Sequence, residues 1–196
     1  MMTRELILVV CEGNLARSPL VAALLSHRLG GHVGLSLDVE SAGTRAADGA
    51  PAATSMCEVA RGYGMELNEH QSRWLTVEHV REATLVLTMS ELQREDVQRL
   101  VPAAMGRVFT LVELVRLLSR LEEEGAVLDN LSELTQAAHA ARPRSIGPEQ
   151  AEDVEDPYGR DDAEFAASGQ RIAELVDRLM DRMVATLAHR KAPVVG

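Results

Sequence analysis

The chain has 196 residues with 46% hydrophobic and 26% charged residues, enough for one globular domain with a full core. Its net charge of -10 excludes nucleic acid as a general partner, because a phosphate backbone needs a basic footprint. Two cysteines give no disulfide framework, and no apolar run reaches the length of a signal core or membrane span, so the expected setting is the cytoplasm with no membrane partner.

The first predicted element is a buried strand, Glu5 to Val10. A short loop follows, Cys11-Glu12-Gly13-Asn14-Leu15-Ala16-Arg17, and a helix opens at Ser18-Pro19. Leu20, Val21, Leu24, Leu25 and Leu29 give that helix one apolar face, and Gly30-Gly31 ends it. Next come a strand at 35–41, a helix from Ala52 to about Tyr63 stopped by Gly64, and a short helix at 75–80. A strand at 84–88, a helix at 91–101 before Pro102, and a fourth strand at 107–111 complete the alternation. Strands alternating with helices argue an α/β fold: a three-layer sandwich whose four-stranded parallel sheet is doubly wound in the flavodoxin-like manner.

A helix is expected at 111–124, and a final one from about Ala163 to Leu187 with a frayed tail at 191–196. Between them, residues 121–164 hold thirteen acids and three bases, nearly the whole negative balance. Its middle reads as a surface excursion of the same domain, partly helical at 131–141, with an acidic insertion at about 121–152.

The loop after the first strand carries the chemistry. Ser18 is expected to cap the helix and Pro19 suits its first turn, so the positive end of the helix faces the loop. Gly13 is expected to take a positive φ that turns successive N–H groups inward. The Arg17 guanidinium fork matches two oxygens of a tetrahedral anion. Glu12 through Ser18 thus form a phosphate-sized hollow, with Cys11 at its mouth as a nucleophile. A leaving group needs an acid; Asp156, held extended by Pro157 in Glu155-Asp156-Pro157-Tyr158-Gly159, is the candidate. Cys57, on a helix beside Met56 and Val59, reads as an ordinary core or surface cysteine.

Cys11-x5-Arg17-Ser18-Pro19 directly after the first strand resembles the low-molecular-weight protein tyrosine phosphatases. Ser41-Ala42-Gly43-Thr44, His70-Gln71-Ser72-Arg73 before Leu85-Val86-Leu87-Thr88-Met89, and Asp156-Pro157-Tyr158 agree in order and spacing. The resemblance implies hydrolysis of phosphotyrosine through a phosphocysteine, with Cys11 as nucleophile and Arg17 and the N–H groups of Glu12, Gly13, Asn14, Leu15, Ala16 and Ser18 on the phosphoryl oxygens. It implies that Ser18 steadies the thiolate, that Asn14, Ser41 and His70 support the loop, and that Asp156 serves as acid and then base. Tyr158 would wall the cleft. No metal or organic cofactor is implied. The implied partners are a phosphotyrosine protein or a small aryl phosphate, and a cognate tyrosine kinase.

Three positions depart from the family pattern. Ala16 stands where many members carry a second loop cysteine, Arg45 stands where an aromatic wall residue is common, and Thr84 stands where Asp is common. Two other functions fit the scaffold: arsenate reduction, which needs resolving thiols that this chain lacks near its third strand, and non-catalytic phosphoryl binding.

Overall fold

The computed structural model describes residues 5–32, 37–142 and 153–187. Four strands, β1 (Glu5–Cys11), β2 (Leu37–Gly43), β3 (Leu85–Thr88) and β4 (Val108–Thr110), form one all-parallel sheet in the order β2-β1-β3-β4. The helices are α1 (Arg17–Gly30), α2 (Thr54–Gly62), α3 (Val77–Glu82), α4 (Glu91–Leu100), α5 (Leu111–Glu123), α6 (Leu131–Ala140) and α7 (Asp162–Thr186), with a 3-10 turn at Pro102–Arg107. The expected α/β sandwich with a flavodoxin-like parallel sheet is therefore observed.

The alternation of side chains along each strand builds two layers. Ile7 and Val9 of β1, Leu85 and Leu87 of β3 and Phe109 of β4 face a core shared with α1, α2, α5, α6 and α7. Leu8, Val10, Val86 and Val108 point to the opposite face, against Val80 of α3 and Val97 of α4. Burial on both faces explains why β1 reads as an unbroken apolar run. Each fully buried Leu or Val contributes about 1.5–3 kcal/mol, and with so few aromatics that burial carries the core.

Strand order reverses between β1 and β3, so chain leaves the carboxyl ends of these neighbours in opposite directions and opens a crevice there. Cys11 ends β1 at that crevice, and Met89, just past β3, donates its N–H to Val10 O at 3.1 Å.

Two expectations need correction. The stretch at 131–141 is not a surface excursion: α6 buries Leu131, Leu134, Thr135 and Ala138, and Asn130 caps it by accepting from Glu133 N at 2.9 Å. Its exposed face carries Ser132, Glu133, Gln136 and His139, so the expected helix is present but packs its apolar stripe into the core. The fourth strand is also shorter than expected, because Thr110 accepts from Glu113 N at 3.0 Å and starts α5 at Leu111. Residues 143–152, the end of the expected insertion, and the tail at 191–196 lie outside the described residues.

Candidate active site

The loop from Cys11 to Arg17 turns tightly between the end of β1 and the start of α1. Its turn is made by Asn14, which adopts φ 54°. The expected positive φ at Gly13 is not observed. Asn tolerates the left-handed region better than most residues with a side chain, and here its side chain also fixes the loop. The amide Nδ2 donates to Ser18 Oγ and to Ser41 Oγ, both at 2.9 Å, and Oδ1 accepts from Arg73 N at 2.9 Å. His70 Nε2 lies 2.7 Å from Asn14 O. A carbonyl only accepts, so that ring nitrogen carries the proton. Asn14 is fully buried, and all these partners are needed to satisfy it.

Ser18 does not cap the helix. Helix α1 begins one residue earlier, at Arg17, and Ala16 at its cap position offers no side-chain acceptor. The Ser18 hydroxyl turns instead to the sulfur: it lies 3.0 Å from Cys11 Sγ. Its oxygen accepts from Asn14 and also lies 3.5 Å from Ala42 O; in the pair with sulfur either group can donate, and the hydroxyl is the donor when Cys11 is a thiolate. Asn14 N also donates to Cys11 Sγ, at 3.3 Å. A thiolate at Cys11 would be met by both donors. The first turn of α1 meanwhile keeps its N–H groups free of a side-chain cap, which suits an anion.

Arg17 is buried, with a side chain 4% exposed. Nη1 donates to Val154 O at 3.1 Å, Nη2 pairs with Asp156 Oδ2, and Nε is buried with no partner among the described residues. An oxygen of a tetrahedral anion would satisfy that nitrogen. Asp156 is further fixed by accepting from Tyr158 N at 3.1 Å. Cys11, Glu12, Gly13, Leu15, Ala16, Arg17, Arg45, Asp156 and Tyr158 line one cleft of about 410 Å³, together with Ala47 and Ala50. Arg45 pairs with Glu12 at 3.2 Å across its mouth, and Tyr158 is largely exposed beside it. The structure thus gathers the candidate site residues: Asn14, Ser18, Ser41 and His70 behind the loop, and Cys11, Glu12, Gly13, Leu15, Ala16, Arg17, Arg45, Asp156 and Tyr158 around the cleft.

Three contributors were missed. Gly43 lies so close to the loop that a Cβ would sit 2.5 Å from Glu12 O and 2.8 Å from Asn14 N. Its place in Ser41-Ala42-Gly43-Thr44, paired with Cys11 in the sheet, was the available signal. Arg73 donates through Nε and Nη2 to Ser41 O at 3.1 and 2.8 Å and pairs with Glu40 at 3.2 Å, holding β2 against the loop. The carbonyl of Val154 has no signature in sequence at all. Cys57 behaves as expected: it is buried on α2, its sulfur 4.0 Å from Ala52 O, and it does not line the cleft. Among the described residues no cluster of His, Cys, Asp and Glu is arranged to hold a metal ion, and no helix is long and apolar enough to cross a membrane.

Burial holds His70 below the ordinary imidazole value; the bond to Asn14 O pulls it up, and the Arg73 cation pushes it down again. With a lowered folded pKa, the unfolded chain binds more protons between that value and about 6.5. Stability is therefore present above about pH 6.5 and lost as pH falls through the folded value. Denaturant unfolding at pH 7.5 and at pH 5 is expected to show this loss in the native chain. In His70→Gln, which keeps a donor toward Asn14 but does not titrate, the loss should shrink; an equal loss in both would refute the role of His70.

Comparison with known proteins agrees with this geometry. Residues 6–130 match the family model for low molecular weight phosphotyrosine protein phosphatases. "Probable low molecular weight protein-tyrosine-phosphatase EpsP" of Ralstonia nicotianae is 42% identical over 108 residues, covering 55% of this chain and 71% of the relative. A protein-arginine-phosphatase of Geobacillus stearothermophilus is 38% identical over 110 residues, covering 56% and 70%. Among solved structures, the YwlE arginine phosphatase from the same organism superposes with a TM-score of 0.68 at 29% identity, covering 92% of this chain and 93% of that one. The tyrosine phosphatase Wzb of Escherichia coli K30 superposes with a TM-score of 0.68 at 23% identity, covering 92% and 99%, and shares the fold. The chain belongs to the low-molecular-weight protein-tyrosine-phosphatase family, a family of hydrolases.

Proposed function

We propose that the protein hydrolyses phosphotyrosine through a phosphocysteine intermediate. The observation that carries this is the meeting of Cys11, Arg17 and Asp156 in the lining of one cleft, with the buried Arg17 Nε left unpartnered. In the first step Cys11 Sγ attacks phosphorus in line, the bond to the phenolic oxygen breaks, and Asp156 gives that oxygen a proton. Arg17 and the loop N–H groups hold the remaining oxygens as charge builds on them. In the second step Asp156 takes a proton from water, the water oxygen attacks phosphorus, and the sulfur leaves. No metal enters either step.

The ring of the substrate would lie against Leu15, Ala47, Ala50 and Tyr158, an apolar lining that suits an aromatic group. The likeness to arginine phosphatases supports a second reading, and Glu12 and Asp156 at the cleft are the residues that would face a guanidinium. A thiol relay to arsenate has no support, since Cys57, the second of two cysteines, lies away from the cleft. A non-catalytic binding role has less support than hydrolysis, because Asp156 lines the cleft with the thiol.

The test is pre-steady-state hydrolysis of a nitrophenyl phosphate in the presence of a chelator. A burst of nitrophenol near one equivalent per enzyme is expected, followed by slower turnover. Dependence of turnover on an added divalent metal would refute the mechanism. Matched peptides carrying phosphotyrosine or phosphoarginine then decide the substrate: a kcat/KM at least tenfold higher for phosphotyrosine is expected, and the reverse order would replace the tyrosine reading with the arginine one.

A further inference from the structure

Asp156 is held by a strap whose attachment lies three residues upstream. Asp153 Oδ1 accepts from Glu91 N at 2.9 Å. Glu91 is the first residue of α4, so its N–H has no acceptor within the helix, and a carboxylate there also meets the positive end of the helix. Ser90 Oγ serves a different donor of the same turn, Gln93 N at 3.4 Å. The next residue, Val154, is buried; its N–H donates to Met89 O at 2.7 Å and its carbonyl accepts from Arg17 Nη1 at 3.1 Å. Met89 is itself bonded to Val10, beside Cys11. A continuous path therefore runs from the nucleophile's strand through Met89 and Val154 to the guanidinium of Arg17. The strap that fixes it also carries the Asp156 carboxyl.

We propose that Asp153 is a positioning residue: by fastening residues 153–154 to the start of α4, it sets the Asp156 carboxyl in register over Cys11. This rests on the reading of Asp156 as the acid. With Asp153 released, Val154 keeps its bonds to Met89 and Arg17, but the strap loses its attachment to α4, and Asp156, three residues beyond that attachment, is held less closely. Displacements of an ångström in a catalytic group cost up to about 10²-fold in rate. The loss should fall on the step that needs the acid, and the loop around Cys11 should remain intact.

The experiment uses the full chain and a series of aryl phosphates from nitrophenyl to phenyl. For Asp153→Ala, kcat/KM is expected to fall about tenfold with phenyl phosphate and less than twofold with nitrophenyl phosphate, steepening the dependence on the leaving group. Asp153→Asn keeps an acceptor for Glu91 N and should stay near the native values. Glu91→Pro removes the donor instead. Proline is favoured at the first helical position, and Ser90 already has the extended backbone that must precede it, so this variant should fold and show the same steepening. A uniform loss across the series, or none, in both Asp153→Ala and Glu91→Pro overturns the proposal. Asp156→Ala run in parallel separates the two levels. If it steepens the series and Asp153→Ala does not, only the positioning role fails. If it does not steepen the series, the acid assignment fails and the positioning role falls with it.

Discussion

Cys11→Ser is expected to lower turnover of an aryl phosphate by about 10⁴-fold or more, as removal of a covalent nucleophile does in enzymes whose site otherwise stays intact. The side chain is buried at the end of β1, and serine preserves its shape within the volume of one atom. What changes is the nucleophile: a hydroxyl is a far weaker attacker at neutral pH than a cysteine sulfur. The anion site does not depend on that atom. Arg17 keeps its bond to Val154 O, and Asn14 keeps its amide bonds to Ser18 and Ser41. Binding of inorganic phosphate or sulfate, followed by calorimetry, should therefore persist while hydrolysis is lost. Loss of both would mean that the substitution has collapsed the loop, and retention of turnover would remove Cys11 from the mechanism.

Much of this site was legible because its parts are local in sequence. Cys11 and Arg17 share one loop, and the apolar run before it and the amphipathic pattern after it fix that loop between a strand and a helix. Asp156 lies far along the chain, and Pro157 and Tyr158 marked it only by resemblance to a family. The errors have a common origin. Ser18 has the residue type and place of a helix cap, but its hydroxyl lies against the Cys11 sulfur, and the helix end stays open for an anion. Gly13 looked like the residue with a positive φ because glycine adopts it freely, yet Asn14 takes it and stabilises it with its own side chain. Helix α6 lies where helix was expected, but its burial was missed because the stripe of Leu131, Leu134 and Ala138 sits inside a strongly acidic stretch. In each case a tertiary partner reassigns a group whose local preference pointed elsewhere. Backbone contributors such as Val154 O cannot be read from residue types at all.

Gly43→Ala is expected to damage both stability and activity more than any other single methyl added near the cleft. Gly43 ends β2 opposite Cys11, where the loop begins to leave the sheet. Its N–H donates to Arg73 O at 2.9 Å and its carbonyl accepts from Leu75 N at 2.9 Å, so it is pinned from the side away from the loop. Thr44 N and Arg45 N donate to Cys11 O and Glu12 O at 3.0 and 2.9 Å and draw the loop down onto it. A Cβ would approach Glu12 O to 2.5 Å, Asn14 N to 2.8 Å and Ala46 Cβ to 3.0 Å. Two of these are backbone atoms of the loop itself and cannot rotate away. Relief requires moving Glu12 and Asn14, which breaks the network on Ser18, Ser41, Arg73 and His70. Overpacking of this kind costs about 1–3 kcal/mol, and the loss of register in the loop adds to it. A drop of roughly 2–3 kcal/mol in denaturant unfolding is therefore expected, with kcat/KM falling about 10²-fold as the N–H groups leave their places around the phosphoryl oxygens. Gly13→Ala is the control, since a Cβ there meets only the Leu15 side chain, at 3.5 Å. The smaller effect should be at Gly13, although that residue lies inside the loop. If Gly13→Ala proved the more damaging of the two, the loop would be held by its own turn rather than by the strand beneath it.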